Sequence, residues 1–159
     1  MALAMLGHKS VHAELVVPAP PEEVWAVLTD AASYKEWNPV FVDVQGEYRE
    51  GAKLSYQMKD QSGKQSKVVA TVTKLDPEHE LNQFGGIRGI ITFDHHWFLE
   101  PVEGGTRVTQ HEEYRGVYVW FWNPSWFESA YARANEALRD RVLQILNERR
   151  QRNNESEAN

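Results

Sequence analysis

The clearest hydrophobic pattern lies in the last third of the chain, after Asn123-Pro124. Apolar or small side chains recur there at steps of three and four residues, which is the spacing of one helix face: Phe127, Tyr131, Ala134, Leu138, Val142 and Ile145. The pattern predicts one long amphipathic helix. The polar stretch ERRQRNNESEAN, residues 148–159, contains a single apolar residue and is predicted to be a disordered tail.

The start of the chain predicts one strand followed by two short helices. Residues 11–17, VHAELVV, are rich in strand formers. The Pro20-Pro21 pair suits the first turn of a helix, where the missing N–H of proline costs nothing, and the sequence PEEVWAVL then places apolar residues at helical spacing. A second short helix is predicted to end at Asn38-Pro39, because the residue before a proline is disfavoured in the α region.

Between Val40 and Tyr118 the pattern changes to β-rich runs separated by turn signals about ten residues apart. The signals are Gly46, Glu50-Gly51, Ser62-Gly63, Asp76-Pro77, Gly85-Gly86 and Gly104-Gly105. This spacing is typical of an antiparallel meander. With the first strand, it predicts a sheet of about seven strands.

These elements together predict an α+β domain in which a curved antiparallel sheet packs against the long C-terminal helix. Such a sheet and a single helix do not always fill the space between them. A cavity lined by the concave face of the sheet is therefore expected.

Composition and charge narrow the function classes. The chain has 159 residues with 17 basic and 23 acidic side chains, a net charge of −6. This length suits one soluble domain, and the charge offers no basic surface for nucleic acid or for an anionic membrane. The sequence has no apolar run approaching the roughly 18 residues that cross a bilayer, and no cysteine for thiol chemistry. We expect a cytoplasmic protein that does not bind nucleic acid or membranes.

Three segments carry a resemblance to a known family: APPEEVWAVLTDAASYKEWNP, FLEPVEGGTRVTQHEEYRG and AYARANEALRDRVL. The chain resembles the polyketide cyclase/dehydrase branch of the START-like (SRPBCC) superfamily over roughly residues 11–147. The resemblance implies one helix-grip domain with a deep, mainly apolar cavity. From its own composition, the segment MALAMLGHKS at 1–10 is predicted to be a flexible leader before this domain, and the tail at 148–159 follows it. The superfamily includes lipid carriers, hormone receptors, cyclases, hydrolases and chaperone co-activators, so the fold does not choose a function.

The hairpin around Gly104-Gly105 places polar residues in line with aromatic ones. His95 shares a face with apolar neighbours on one strand, and Gln110 and Glu112 share a face with Tyr114 on the other. A two-residue loop pairs His95 with Glu112, whereas a four-residue loop pairs it with Tyr114. Either register predicts an aromatic cavity wall with three polar points. The alternative is that these polar residues face water.

The cavity is predicted to take residues from the second short helix, the sheet and the long helix. The candidates are Tyr34, Trp37, Tyr56, Met58, Phe93, His95, Trp97, Gln110, Glu112, Tyr114, Phe127, Tyr131 and Asn135. For the apolar members, ordinary core packing is the alternative.

Three of these residues carry the candidate chemistry. If the protein is an enzyme, His95 and Glu112 can act as general base and orienting carboxylate, and Tyr114 as a donor to an oxyanion, without a cofactor. The simpler interpretation is that they hydrogen-bond a ligand. A metal site is not predicted. The adjacent His95 and His96 point to opposite faces of a strand, so they cannot easily share an ion. His96 and His111 could approach each other across the hairpin, but they have no convincing third ligand.

The aromatic run YVWFWNPSWF at 118–127 has three interpretations: packing at the core or cavity mouth, a homodimer contact, or a shallow membrane anchor, in that order. Three functions follow from the sequence. The first is binding or transport of a small apolar lipid, polyketide-like or aromatic ligand. The second is a cofactor-independent cyclase or dehydratase that uses the same cavity. The third is a protein-binding co-regulator with the aromatic run as its interface.

Overall fold

Seven strands and one long helix dominate the structure, a computed structural model that describes residues 6–157. The strands are β1 (Gly7–Val17), β2 (Phe41–Gln45), β3 (Lys53–Lys59), β4 (Gln65–Asp76), β5 (Glu80–Ile87), β6 (Ile91–Val102) and β7 (Gly105–Gly116). The α-helices are α1 (Pro21–Leu28), α2 (Tyr34–Trp37) and α3 (Ser125–Glu157), with 3₁₀ turns at Ala31–Ser33 and Val117–Trp120.

The strands form one antiparallel sheet in the order β1-β7-β6-β5-β4-β3-β2. Among the strand pairs of residues 6–157, β1 and β7 are the one pair far apart in sequence, since the other pairs are consecutive strands. The sheet curls into a half-barrel, and register shifts between Phe41 and Asp43 and between Val72 and Lys74 mark irregularities that bend the strands. This architecture confirms the predicted α+β helix-grip fold.

Helix α3 packs against the sheet along the predicted stripe. Its buried side chains are Ala130, Tyr131, Ala134, Asn135, Leu138 and Val142. Leu138 and Val142 join the main core with residues of the sheet and of α1, whereas Tyr131 joins a second cluster with Tyr114 and Val119. The small residues Ala130 and Ala134 let the helix approach Val40 closely. The start of α3 therefore faces the part of the sheet where the cavity lies.

Both predicted flexible ends need correction. Strand β1 begins at Gly7, where Gly7 to Ser10 pair with Gly116 to Glu113, so the last four residues of the expected leader belong to the sheet. Helix α3 continues to Glu157 instead of ending near Asn147. Glu, Arg and Gln have high helix propensity, and Arg149 forms an ion pair at 2.6 Å with Glu23 of α1. Residues 1–5 and 158–159 of the two predicted segments lie outside the described residues.

The β6–β7 hairpin has a two-residue loop and not a four-residue loop. Val102 pairs with Gly105, which places His95 opposite Glu112 and Trp97 opposite Gln110. The buried positions of β7 alternate without a break from Thr106 to Gly116. The polar side chains His95, Gln110 and Glu112 are therefore turned inward, as the aromatic-wall interpretation predicts.

One predicted turn lies inside a strand. Gly85-Gly86 belongs to β5, and the chain turns at residues 88–90 instead. A Cβ at Gly85 would lie 2.3 Å from Cζ of Phe93 and 2.5 Å from the Val69 carbonyl oxygen. Gly85 is thus needed because the Phe93 ring on the neighbouring strand packs against its backbone.

Candidate functional site

A cavity of about 240 Å³ lies between the concave face of the sheet and the first turns of α3. Its lining is mostly aromatic and aliphatic, with few polar side chains. The lining residues are Tyr34, Phe41, Tyr48, Tyr56, Met58, Val68, Ala70, Gln83, Gly86, Ile91, Phe93, His95, Trp97, Glu112, Tyr114, Trp122, Phe127 and Tyr131. An apolar cavity with a small number of placed polar groups is typical of a small-molecule site.

Three of the predicted cavity residues lie elsewhere. Trp37 packs behind Tyr34, with ring centroids 4.8 Å apart, and donates its indole N–H to Ser33. Gln110 and Asn135 are buried behind the wall, where they bond each other. The structure brings the other ten together on the cavity surface: Tyr34, Tyr56, Met58, Phe93, His95, Trp97, Glu112, Tyr114, Phe127 and Tyr131.

The sequence reasoning missed several lining residues. They are Phe41, Tyr48, Val68, Ala70, Gln83, Gly86, Ile91 and Trp122. Val68 could have been found, because it pairs with Tyr56 across the β3–β4 hairpin and so shares its face. Tyr48 lies in the connection between β2 and β3, where no periodicity marks the direction of a side chain.

A chain of hydrogen bonds behind the wall fixes the orientation of His95. It begins at the Ala13 carbonyl oxygen, which can only accept, so Asn135 presents Nδ2 there at 3.3 Å and turns Oδ1 toward Gln110. Gln110 donates through Nε2 to Asn135 Oδ1 at 2.7 Å and to the Tyr131 carbonyl oxygen at 3.3 Å. Its Oε1 therefore faces His95 Nε2, at 3.1 Å.

This arrangement determines the tautomer of His95. Oε1 of Gln110 is an acceptor, so Nε2 of His95 carries the hydrogen. Burial lowers the pKa of His95 from 6.5 to about 3, because the charged imidazolium is poorly solvated there. The ring is neutral, with its lone pair on Nδ1, and stacks on Tyr131 with centroids 4.9 Å apart.

The second polar group is Glu112, which is 4 % exposed. The hydroxyls of Tyr114 and Tyr131 both donate to its Oε2. Burial raises the pKa of Glu112 from 4.5 to about 7 and outweighs the opposing effect of the two hydrogen bonds. Burial and the same carboxyl raise the pKa of Tyr114 and of Tyr131, so both remain protonated donors.

The predicted pairing of His95 with an orienting Glu112 is corrected by these contacts. The two residues are cross-strand neighbours, but His95 is oriented by Gln110 and Glu112 is bonded by two tyrosines. The physical reason is that the Gln110 amide lies within hydrogen-bond distance of the imidazole, while the tyrosine hydroxyls engage the carboxyl. The Tyr114 hydroxyl, predicted as a donor to an oxyanion, already donates to Glu112.

A third polar group lies on the side of the cavity formed by β3 and β5. Gln83 donates through Nε2 to the Tyr56 hydroxyl, which in turn lies 3.3 Å from the Tyr48 hydroxyl. Burial raises the pKa of Tyr56 to about 12, so this hydroxyl also stays protonated. The cavity thus holds hydrogen-bonding groups at separate places on an otherwise apolar wall.

The aromatic run divides between cavity and surface. Trp122 packs edge-on against Tyr114, with centroids 4.7 Å apart, and its carbonyl oxygen accepts a hydrogen bond from Lys9 at 2.6 Å. Trp122 and Phe127 line the cavity, whereas Phe121 is 90 % exposed. Among residues 6–157, no helix has both the length and the hydrophobicity to span a bilayer.

His96 and His111 lie on the outer face of the sheet. They are opposite each other in the β6–β7 hairpin, and Nδ1 of His96 lies 3.0 Å from Glu80. Within the described part of the chain, no group of three or more His, Cys, Asp or Glu side chains is arranged to hold a metal ion.

The sequence matches the profile of the family described as polyketide cyclase / dehydrase and lipid transport over residues 8–143. The chain belongs to this family. The match spans the sheet and the buried part of α3, and hence every residue that lines the cavity. No protein with a curated description matches the sequence.

Several solved structures share the fold of this family member. A protein from Rhodobacter sphaeroides is 18% identical with a TM-score of 0.71, and the alignment covers 88% of this chain and 99% of that one. A protein from Thermus thermophilus is 22% identical, with a TM-score of 0.70 and coverage of 86% and 99%. The di-domain ARO/CYC protein BexL of the BE-7585A biosynthetic pathway is 14% identical, with a TM-score of 0.66 and coverage of 84% and 49%. At these identities the likeness concerns the fold alone.

Proposed function

We propose that this protein binds a small, mainly apolar molecule in the cavity between its sheet and α3. The observation that carries the proposal is the cavity of about 240 Å³, whose wall is aromatic and whose polar groups are few and already oriented. A cavity of this kind forfeits packing contacts unless a ligand fills it. The membership of a family described by both cyclisation and lipid transport is consistent with a ligand of this character.

Replacing a residue of the cavity wall with a larger one is expected to weaken this binding strongly. Val68 lines the cavity on β4, so Val68→Phe places a ring where a ligand would lie. We expect the affinity for naphthalene, measured by isothermal titration calorimetry, to fall more than tenfold. Val69 is the next residue on the same strand and is 45% exposed, so Val69→Phe is the matched control and should leave the affinity unchanged. Equal binding by the two variants would refute the cavity as the binding site.

The second candidate is an enzyme, and one observation favours it. Glu112 lies in the cavity wall with a pKa of about 7, so near neutral pH it can both donate and accept a proton. A carboxyl of this kind suits removal of a proton from a carbon next to a carbonyl. The structural similarity to the di-domain ARO/CYC protein BexL supports a substrate for such an enzyme by analogy only.

Deuterium exchange tests the catalytic alternative without a known substrate. If Glu112 is a general base, the protein should accelerate exchange at the central carbon of 1-phenylbutane-1,3-dione in D₂O, followed by mass spectrometry. Glu112→Gln should then reduce the acceleration by about a hundredfold. Glu113→Gln, on the neighbouring outward-facing residue, is the control. No acceleration by the unmodified protein would leave binding as the function, whereas equal acceleration by Glu112→Gln would exclude Glu112 as the general base.

A further inference from the structure

The volume of the cavity limits the size of its ligand. A cavity of about 150 Å³ lined by apolar side chains holds one benzene molecule. At about 240 Å³, this cavity is roughly one and a half times as large, which suits a molecule of one or two rings. A lipid with two acyl chains is several times larger than this space. The ligand is therefore compact.

The charges around the cavity limit the ligand further. Its lining residues within 6–157 include no Lys and no Arg. The one histidine of the wall is neutral, because burial lowers the pKa of His95 to about 3, and its Nε2 hydrogen is donated to Gln110. An anion placed here would lose its hydration without gaining a cationic partner, which is unfavourable. Carboxylate ligands such as fatty acids are therefore disfavoured.

One polar contact that the cavity offers a ligand is an acceptor on His95. Nε2 of His95 donates to Gln110, and no hydrogen bond within the described residues engages Nδ1. The lone pair of a neutral imidazole is a good acceptor for a hydroxyl or N–H donor. The imidazole ring of His95 stacks on Tyr131 and on Trp97, with centroid separations of 4.9 and 5.8 Å, so its plane is fixed. A ligand ring packed on this wall meets an acceptor of set direction.

We infer that the ligand is a compact molecule of one or two rings, without negative charge, that donates a hydrogen bond to Nδ1 of His95. Gln110 and Asn135 act as positioning residues, because their hydrogen bonds leave the lone pair on Nδ1 rather than on Nε2. This inference rests on the proposed ligand-binding function and narrows it to small phenol-like or N–H-bearing aromatic compounds.

The test compares five probes by isothermal titration calorimetry with the full chain: naphthalene, 2-naphthol, 2-methoxynaphthalene, 2-naphthoate and pyrene. One net hydrogen bond corresponds to about a three- to tenfold difference in affinity. We expect 2-naphthol to bind tighter than its methyl ether by this factor. Binding of 2-naphthoate should be at least tenfold weaker than that of 2-naphthol, and pyrene should not bind.

Two variants separate the hydrogen bond from shape. His95→Phe keeps an aromatic ring beside Tyr131 but removes the acceptor, so the preference for 2-naphthol over 2-methoxynaphthalene should disappear. His96→Phe makes the same substitution on the outer face of the same strand and should keep the preference. Nitrogen NMR of the unmodified protein gives an independent readout, with a donor-type signal expected for Nε2 and an acceptor-type signal for Nδ1 of His95.

The outcomes distinguish the inference from the function on which it rests. If naphthalene binds but 2-naphthol shows no preference, or if His95→Phe keeps it, the inference fails and ligand binding stands. Tighter binding of pyrene or 2-naphthoate, or a hydrogen on Nδ1, also overturns the inference. If none of the probes binds, the proposed function fails, and the inference fails with it.

Discussion

The unmodified protein is expected to lose about 3 kcal/mol of its free energy of unfolding as the pH rises from about 4.5 to 7, and Glu112→Gln is expected to remove this loss. Burial raises the pKa of this carboxyl from 4.5 to about 7, so the folded protein holds the proton more tightly than the unfolded chain. The contribution to stability is fully present below pH 4.5 and is lost as the pH rises through 7. Above pH 7 an ionised carboxylate must stay buried beside Tyr114 and Tyr131.

Urea denaturation at pH 4.5, 6 and 8 measures this effect as the difference between the unmodified protein and Glu112→Gln. The variant should become the more stable of the two at pH 8, because an amide has no charge to bury. Glu113→Gln is the matched control on the outer face. Arg115 holds the pKa of Glu113 below its usual range, so any trend there has the opposite sign. Parallel curves for the unmodified protein and Glu112→Gln would contradict the prediction.

The sequence was sufficient to predict the fold, and the reason is visible in the hairpin formed by β6 and β7. The period of two along these strands placed His95, Gln110 and Glu112 on the apolar face, and the structure has them buried. The stripe of α3 was equally clear, since small and large apolar residues recur at helical spacing over several turns. Both patterns arise because a whole face of the strand or helix is buried, so apolar residues recur in the sequence at a regular spacing.

The contacts within the site could not be read in the same way. Parity alone makes His95 and Glu112 neighbours, but it does not decide which side chains bond. Gln110 reaches His95 because Asn135, on α3, binds the other end of its amide. That contact joins residues 25 positions apart on two different elements. Tyr131 reaches Glu112 from the same helix. Such contacts depend on how α3 is docked, which no local pattern specifies.

The ends of the chain show a different limit. A polar stretch without an apolar stripe predicts disorder, yet residues 148–157 continue α3. Here the determinants are helix propensity and exposed pairs such as Gln144 with Glu148 at 2.9 Å. Each pair contributes only a few tenths of a kcal/mol. Because these pairs are between polar residues, a pattern of hydrophobic positions does not reveal them.

The two titratable groups of the cavity act on stability in opposite directions. Glu112 favours the folded state at low pH, because its raised pKa keeps the carboxyl protonated. His95 favours the folded state at high pH, because its lowered pKa keeps the imidazole neutral. Between about pH 4.5 and 6.5 the two contributions change together and partly cancel. Single variants are therefore needed to see either one.

His95→Phe is expected to remove the larger of these two contributions, about 5 kcal/mol, which the unmodified protein loses as the pH falls from about 6.5 to 3. The unfolded chain takes up a proton on His95 near pH 6.5, whereas the folded protein resists it until about pH 3. The contribution is thus fully present above pH 6.5 and disappears in acid.

The measurement is the urea midpoint between about pH 7 and pH 3.5, a range chosen to span most of the shift. The variant starts less stable at neutral pH, because Gln110 Oε1 loses its donor, but it should lose less stability than the unmodified protein as the pH falls. His96→Phe provides the comparison, since His96 is partly exposed and paired with Glu80. If His95→Phe and the unmodified protein lose the same stability over this range, the pKa of His95 is not lowered by folding. Nδ1 would then take up a proton near pH 6.5, and below that pH the site would present a donor where an acceptor is expected.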